Sequence, residues 1–484
     1  MASVRAGSAP WSAVHFVGVG GHSMSGLAAA LSRLGVAVSG SDVAASPRTD
    51  RVAAWGVRVR LGHSADAVAV LPPDALVVCS TDVPAGNAEL TAAAARGLQV
   101  AHRSVVLDWF LRTAGARAVA VTGTHGKSST TALCGLAAVA AGLDPTVFVG
   151  ADVPYLEGGN FRLGAGPVVV EADESDGSFL RYHPDIAVVT GAEPEHLEHY
   201  GGDFGRVLDA YRKFLTGLRT GGLAVLCADD ARLRALMAAE ASWPERIWYG
   251  LGPDAELTAA DAVYDRTETR FRAVYRGEHL GTFRLRVPGR HNVANALAAI
   301  GVAFRLHCDL ASVARAFSGF SGAVRRFEVL CRARGVTVVD DYAHNPTKVA
   351  AAIAAARQRS EGRVVAVFQP HRYQRTAQLW DGFATAFRGC DILLLTDIYA
   401  PAGEAPLPGV SGAAFADMVG RGSGVPVRYV PDARELVAAC LSQCSEGDLI
   451  LVMGAGSITT VAHALARKLQ EGACRASEVS GLGR

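Results

Sequence analysis

Residues Val119–Thr131 read VAVTGTHGKSSTT, and this stretch decides the fold. A β-branched run enters a glycine turn, and Lys127 and Ser128 then open a helix. Phosphate chemistry needs this layout. Gly123 and Gly126 permit positive φ and a close backbone approach, so N–H groups can cradle phosphate oxygens. Lys127 adds a point charge, the helix N-terminus adds its dipole, and Ser128 offers a hydroxyl to Mg²⁺. Val121 stands where the strict GxxxxGK pattern has its first glycine, so the loop is a shortened relative of that pattern. A plain strand–turn–helix connection is the alternative, but a Gly-Lys-Ser triplet at such a junction seldom arises by accident.

Working outward, short β-branched runs alternate with Ala- and Leu-rich stretches, which predicts βαβ units around parallel sheets. Strands are expected at Val14–Val17, Val36–Val38 and Leu76–Cys79 in a first block that closes between Arg112 and Arg117. A second block has strands at Ala118–Val121, Val168–Val170 and Ile186–Val189. It adds an antiparallel, half-exposed strand at Phe283–Val287 and a helix at Asn292–Leu306. After a loop with Ser318, Gly319, Ser321 and Gly322, a third block has strands at Val336–Val339, Val364–Phe368, Ile392–Leu395 and Leu449–Val452. That is another doubly wound sheet. The polar, glycine-bearing last dozen residues are expected to fray.

Length agrees with this division: 484 residues at about 150 per domain is about three domains. Half of the residues are hydrophobic, 19% are charged, and 47 Lys and Arg nearly balance 46 Asp and Glu. No basic field points to nucleic acid or to an anionic membrane. No apolar run reaches the roughly 18 residues that would predict a membrane span, and no signal pattern precedes His15-Phe16-Val17. The nine cysteines are scattered without a CxxC pair. They predict neither a disulfide framework nor a zinc knuckle, and the reducing cytoplasm is the expected setting.

Further polar groups collect at strand ends, where α/β sheets present ligands. Glu171-Ala172-Asp173-Glu174-Ser175-Asp176 puts four acids in six residues, which would repel one another without a cation among them. Mg²⁺, with oxygen ligands and substrate phosphates, is the cation expected; a solvated turn is the bland alternative. Thr190–His196 reads TGAEPEH and brings His196 to the same edge. In the first block FVGVGGHSMSG (16–26) holds Gly18, Gly20 and Gly21, with Ser41 and Asp42 at the end of the next strand. By itself this loop also suits an NAD-dependent oxidoreductase, but Ser23 breaks the GxGxxG spacing and the Gly-Lys-Ser loop argues against that chemistry. In the third block DDYAHNP (340–346) and QPHRYQRT (369–376) end two strands, with Arg372 and Arg375 expected on one helix face. Arg325 and Arg326 lie in the linker before them.

Taken together, GTHGKSSTT (123–131), EADESD (171–176), PGRHNVANALAA (288–299), RRFE (325–328), DDYAHNPTKV (340–349), FQPHRYQRT (368–376) and APAGEAPLPG (400–409) make the chain resemble the Mur ligases over nearly all of residues 14–470. EADESD, FQPHRYQRT and the PAGE segment favour the family's alanine-adding branch. The resemblance implies an α/β fold of three domains. These are an N-terminal Rossmann-like domain for the UDP-sugar (1–115), a central P-loop ATPase α/β domain (116–322) and a C-terminal Rossmann-like domain for the amino acid (323–484). It implies ATP and Mg²⁺ as cofactors and UDP-N-acetylmuramate and L-alanine as substrates. No nucleic-acid partner, no membrane insertion, and a monomer or weak homodimer are expected. ATP would phosphorylate the lactyl carboxylate, and the amino group would displace phosphate from the acyl phosphate.

Carried over residue by residue, Gly123, Thr124, His125, Gly126, Lys127, Ser128 and Ser129 would bind ATP. Asn292 and Asn295 would contact adenosine, and Arg326 the phosphates. Lys127 would stabilise the transferring phosphoryl group. Ser128 and Glu171 would hold one Mg²⁺, and His196 a second. His344, His371, Arg372 and Arg375 would line the amino-acid side. Gly18, Gly20, Gly21, His22, Ser23, Ser41, Asp42, Glu174 and Ser175 would hold the UDP-sugar. Residues of three domains would have to converge, so domain closure is expected.

The chain departs from the family pattern at His22-Ser23, where Ala-Gly is usual. His22, if protonated, would itself bind phosphate. It departs also at Gly191-Ala192 and Glu195, at Ala88, at Ser129, and at Asn345, where a second histidine is common. Ala210 stands where several relatives carry a carbamylated lysine. Three functions fit this pattern. One is alanine ligation to UDP-N-acetylmuramate, another the same mechanism with a different amino acid or carboxylate, and the third a non-catalytic paralogue that binds nucleotide or UDP-sugar.

Overall fold

The computed structural model describes residues 9–113, 117–238, 243–401 and 404–481. It forms three sheets, one for each α/β domain. Strands β1 (Ala13–Val17), β2 (Ala37–Asp42), β3 (Arg58–Leu61), β4 (Leu76–Cys79) and β5 (Gln99–His102) build the first. Their order is β3-β2-β1-β4-β5 and neighbouring strands run parallel. β1 is buried along its length, as a central parallel strand covered on both faces must be.

The second sheet contains β6 (Ala118–Thr122), β7 (Thr146–Phe148), β8 (Phe161–Arg162), β9 (Val168–Glu171), β10 (Ile186–Val189), β11 (Leu223–Cys227), β12 (Glu245–Gly250), β13 (Leu257–Tyr264), β14 (Thr269–Tyr275) and β15 (Glu278–Leu285). Its order is β15-β14-β13-β12-β11-β10-β6-β9-β7-β8. β6 lies between β10 and β9 and is parallel to both, with Thr122 opposite Val189 and Val121 opposite Glu171. The carboxyl ends of these three strands therefore emerge side by side. β15 begins and ends earlier than the Phe283–Val287 run predicts, although Phe283 and Leu285 are buried and Arg284 exposed as expected.

The third sheet holds β16 (Glu328–Ala333), β17 (Val336–Asp341), β18 (Val364–Phe368), β19 (Ile392–Leu395), β20 (Val427–Tyr429) and β21 (Leu449–Met453), in the order β16-β17-β21-β18-β19-β20. Among the described residues the β16–β17 hairpin is antiparallel and the other neighbours pair in parallel. Apolar clusters cover its two faces, one around Phe368, Phe383 and Phe415, the other around Val365, Leu394 and Leu465. The final helix, Thr459–Gly481, runs through the tail expected to fray. Ala, Leu, Lys, Arg, Gln and Glu dominate that segment, and their helix propensity outweighs its polarity.

The chain divides into two compact units. One runs to Asp261 and adds Phe271–Phe283 and Ala294–Ala323; the other comprises Ala262–Arg270, Arg284–Val293 and the chain from Val324 onward. The first unit thus holds the first sheet and most of the second. The boundary expected between 115 and 116 falls outside the described residues, as do Ala402 and Gly403 of the PAGE segment. No helix among the described residues is long and apolar enough to cross a membrane.

Candidate active site

The phosphate loop leaves β6 at Gly123 (φ 124°) and enters the helix Lys127–Ala140 through Gly126 (φ 77°). Both conformations belong to glycine. A Cβ on Gly123 would also strike Thr190, and one on Gly126 would strike Asn295 Oδ1. Thr124 and His125 are tied to the turn after β10. Thr124 N–H donates to Gly191 O (3.0 Å), Glu193 N–H to Thr124 Oγ1 (2.8 Å), and Thr190 Oγ1 to His125 O. The His125 ring pairs with Glu193 at 3.0 Å. What the loop offers a phosphate is its backbone and the orphan N–H groups of the first helical turn.

Lys127 Nζ donates to Gly123 O and to Glu174 Oε1, each at 2.8 Å. Burial disfavours the ammonium, but Glu174, Asp173 and Glu171 outweigh it and hold the Lys127 pKa above its ordinary value. Three of the four acids of 171–176 are paired with protein cations, Glu174 with Lys127, and Asp173 and Asp176 with Arg103, while Glu171 accepts from Ser128 and Gly150. Arg103, at the carboxyl end of β5, reaches Asp173 (3.2 Å) and Asp176 (3.9 Å), and His102 reaches Asp176 (3.2 Å). Against the burial that raises them, Lys127 and Arg103 pull Asp173 down, and His102, Ser178 and Arg103 pull Asp176 well below the carboxylate range. Glu174, expected at the sugar nucleotide, pairs with the phosphate-loop lysine, and Ser175 N–H turns back to Asp173 (3.2 Å).

Ser128 Oγ donates to Glu171 Oε1 at 3.1 Å, and Gly150 N–H holds the other carboxylate oxygen at 2.6 Å. A hydroxyl beside one carboxylate at the head of a phosphate loop is a donor set that fits Mg²⁺, which completes its shell with water and phosphate. Among the described residues, no group of three or more His, Cys, Asp or Glu side chains is arranged as a protein-only metal cage. His196 occupies a left-handed turn (φ 57°) and faces Glu198 at 3.9 Å, which draws that carboxyl down to about 2. Asn295 Oδ1 accepts from Thr130 Oγ1 (3.2 Å) behind the loop, whereas Asn292 is buried and donates to Pro288 O (2.7 Å). Ser129 is buried in the first helical turn.

In the first sheet, Gly18 (φ 81°) and Val19 donate their N–H groups to Ser41 O at 2.8 and 2.9 Å, and Gly20 N–H donates to Asp42 Oδ2 at 2.8 Å. Gly21 is the N-cap of the helix His22–Arg33. Arg48 Nε donates to Gly20 O (2.6 Å) and its NH1 meets His22 Nε2 (3.0 Å). A guanidinium can only donate, so His22 Nε2 is an acceptor there. Arg48 thus brings a cation to this turn beside His22. Ser41 is fully buried, with its hydroxyl on Glu89. Asn160, from the central sheet's β8 loop, donates to His22 O and approaches Ser25 Oγ (3.4 Å). Arg48, Arg103 and Asn160 belong to no motif; only Arg103, at a strand's carboxyl end, carried a positional signal.

In the second unit Asp340 and Asp341 end β17. Asp341 accepts from Phe327 N–H (2.7 Å) and Ala343 N–H (2.8 Å), and burial pushes its carboxyl up to about 6. Asn345, where a histidine was the commoner residue, caps the helix Pro346–Arg359 by accepting from Lys348 N–H (2.8 Å). His344 Nδ1 lies 2.7 Å from Tyr342 O, so that nitrogen carries the proton. Burial, with Lys348, Arg375 and Arg326 nearby, keeps this ring neutral. Arg375 NH1 donates to His371 Nδ1 (3.0 Å), and His371 stacks on Tyr399 with ring centroids 5.4 Å apart. Burial, Arg375 and Arg372 push His371 down to about 4. Arg372 precedes the helix Tyr373–Gln378 with φ 68°, so it does not share a helical face with Arg375 as its spacing predicted. Arg326 and Arg325 each lie 5.1 Å from the Tyr342 ring.

A phosphate loop in the middle of three α/β domains, with a glycine turn before it and a His/Arg cluster after it, defines a modular nucleotide-dependent enzyme. The chain belongs to the Mur ligase family. The model for the Mur ligase family catalytic domain matches residues 13–114, that for the Mur ligase middle domain 121–303, and that for the Mur ligase glutamate ligase domain 325–456. The chain is 47% identical to the UDP-N-acetylmuramate–L-alanine ligase of Symbiobacterium thermophilum over 97% of each chain. It is 41% identical to that of Pelotomaculum thermopropionicum over 95% of this chain and 98% of the relative. The crystal structure of the UDP-N-acetylmuramate–alanine ligase from Thermotoga maritima superposes with a TM-score of 0.81 at 29% identity, over 95% of this chain and 99% of that one. A murein peptide ligase from Psychrobacter arcticus shares the fold, with a TM-score of 0.68 at 21% identity over 95% and 98% of the two chains.

Proposed function

We infer that this chain is an ATP-dependent ligase that joins L-alanine to the lactyl carboxylate of UDP-N-acetylmuramate through an acyl phosphate, a step of peptidoglycan precursor synthesis. The observation that carries the reading is Lys127, charged and aimed across its own glycine loop at Glu174, in a chain 47% identical to an alanine ligase over nearly its full length. The lactyl carboxylate attacks the γ-phosphorus of ATP and ADP leaves. The amine of L-alanine then attacks the acyl carbon, phosphate departs and the nitrogen loses a proton. The protein's work is positioning and charge compensation.

The backbone of Gly123–Gly126 cradles phosphate oxygens, and Lys127 stays protonated to meet the charge of the transferring group. Ser128 and Glu171 would hold Mg²⁺, which when bound neutralises the nucleotide's phosphates; His196 is proposed for a second ion. Asn295 is placed to meet the nucleotide beside Gly126. The turn at Gly18–Gly21, with Arg48 behind it, takes the sugar's diphosphate. His344, with its proton on Nδ1, presents Nε2 as an acceptor for an ammonium, His371, whose Nδ1 is taken by Arg375, presents Nε2–H as a donor, and Arg375 offers a fork to the amino acid's carboxylate. The reaction belongs in the cytoplasm, where both nucleotides are found, and the eight described cysteines, all free, accord with a reducing compartment.

The test is phosphate release from MgATP by the purified protein, with each component omitted in turn. Release that requires both UDP-N-acetylmuramate and L-alanine supports the reading. Release with that sugar but a different amino acid moves the assignment to another ligase of the same mechanism, and nucleotide binding without any release moves it to a paralogue that only binds.

A further inference from the structure

Glu89 is fully buried in the first domain, yet it belongs to no phosphate, metal or amino-acid group described above. A buried carboxylate costs several kcal/mol unless donors surround it, and an apolar replacement is often no less stable. Here the donors come from three separate elements. Ser41 Oγ, at the end of β2, donates at 2.5 Å; His15 Nε2, in β1, lies at 3.3 Å; Ser64 N–H, after β3, donates at 3.2 Å. The carboxylate stands in the first turn of the helix Ala88–Ala95, behind the Asn87 cap, where the helix dipole favours it.

The network reaches the turn at Ser41; it also extends from His15 Nδ1 to Ser39 Oγ (2.8 Å) and from Glu89 to His63 Nδ1 (3.5 Å). Ser41 gives its single proton to Glu89, while its carbonyl oxygen receives both Gly18 N–H and Val19 N–H. The next residue, Asp42, holds Gly20 N–H. Glu89 thus holds the side chain of the residue whose carbonyl orders Gly18 and Val19. The same hydroxyl lies 2.9 Å from Nδ1 of His63. With the hydroxyl proton committed to Glu89, Nδ1 must be the donor, which sets the tautomer of a partly exposed ring at the carboxyl end of β3. Arg48, which carries the cation beside the turn, binds Gly20 O, so it moves when the turn moves.

We propose that Glu89 is a positioning residue for the sugar nucleotide, holding the Gly18–Gly21 turn and the His63 ring in place through Ser41. This rests on the reading that the turn takes the UDP-sugar. The experiment uses the full chain carrying Glu89→Gln, which keeps shape and removes the charge. UDP binding by calorimetry is measured without ATP, and steady-state ligation is measured against each substrate.

We expect the Kd for UDP and the KM for UDP-N-acetylmuramate to rise together by about tenfold or more. The KM values for ATP and L-alanine, and kcat at saturating sugar, should stay within about twofold. A fall in thermal midpoint with all constants unchanged would make Glu89 a structural residue and overturn the proposal. If wild type binds UDP but ligates nothing, the ligase reading fails while the calorimetric comparison still decides the proposal. Should Glu89→Gln not fold, Ser41→Ala takes its place. It removes the hydroxyl that joins Glu89 to Ser41, so weaker UDP binding is expected, and unchanged binding overturns the proposal.

Discussion

Lys127→Met keeps the length of the side chain and deletes its charge, and the structure gives two separable consequences. The ammonium is the partner of Glu174 at 2.8 Å, and Glu174 is 4% exposed. Removing one member of a buried pair costs about 3–5 kcal/mol, because the other charge is left uncompensated. Asp173 keeps Arg103, so the lower end, about 3 kcal/mol, is expected. For a domain of the size of the central one, that lowers the midpoint by about 6–12 °C. The second consequence is catalytic: losing a charge aimed at the transferring phosphoryl group should cost about 10²–10³ in kcat.

Adding Glu174→Gln separates the two effects. The double variant no longer buries an unpaired carboxylate and should regain about 2 kcal/mol, whereas its ligation rate should stay as low as that of Lys127→Met. Calorimetry and phosphate release on the four proteins of the cycle measure both quantities. Activity returning together with stability would mean that Lys127 only balances the acidic run, and its placement at the phosphate would be wrong.

Asp173 and Asp176 are held below the unfolded carboxylate value near 3.9, so their contribution to stability is present above that pH and is lost as pH falls through their folded values. Arg103→Met should therefore lower the midpoint at pH 7 and flatten its decline below about pH 4, as followed by thermal melts. Asp341 has the opposite sign. Its carboxyl, raised to about 6, keeps a proton that the unfolded chain has released, so stability of the second unit should fall as pH rises from about 4 to 6. Asp341→Asn should abolish that slope in urea titrations. His371, pushed to about 4, should give no acid limb in kcat/KM for L-alanine above about pH 5. Arg375→Leu removes one of the causes and should move the His371 titration upward, which ring-proton NMR would detect.

The sheets were legible wherever strands are parallel and covered on both faces. β4, β10, β18 and β19 are uninterrupted apolar runs, and their bounds coincide with the runs. β11 carries the same signal and was passed over, while β8 is two residues long and has no run to read. The phosphate loop was legible because its glycines, lysine and serine act through neighbouring backbone, so spacing along the chain is spacing in the site. Arg48, Glu89, Arg103 and Asn160 were not, since each works on a partner brought to it by a different strand or helix. Asn345 was read as a departure and is a helix cap, a role that the following proline at the first helical position announces.

The acidic run shows how the two kinds of information meet. Four acids in six residues called for positive charge, and a metal ion was the expected source. The first unit supplies the charge from its own chain, with Lys127 on Glu174 and Arg103 on Asp173 and Asp176. Asp173 is pulled down by both cations, one from the phosphate loop and one just past β5 of the first sheet. A phosphoryl group arriving at Lys127 would compete with Glu174 and Asp173 for the ammonium, and Asp173 would then lean more heavily on Arg103. The acidic segment is therefore an electrostatic link between the phosphate loop and the first domain. Arg103→Met should consequently weaken the energetic coupling between ATP and UDP-sugar binding, measured as the ratio of UDP affinities with and without nucleotide. A ratio unchanged by that substitution would refute the link while leaving each ion pair in place as packing.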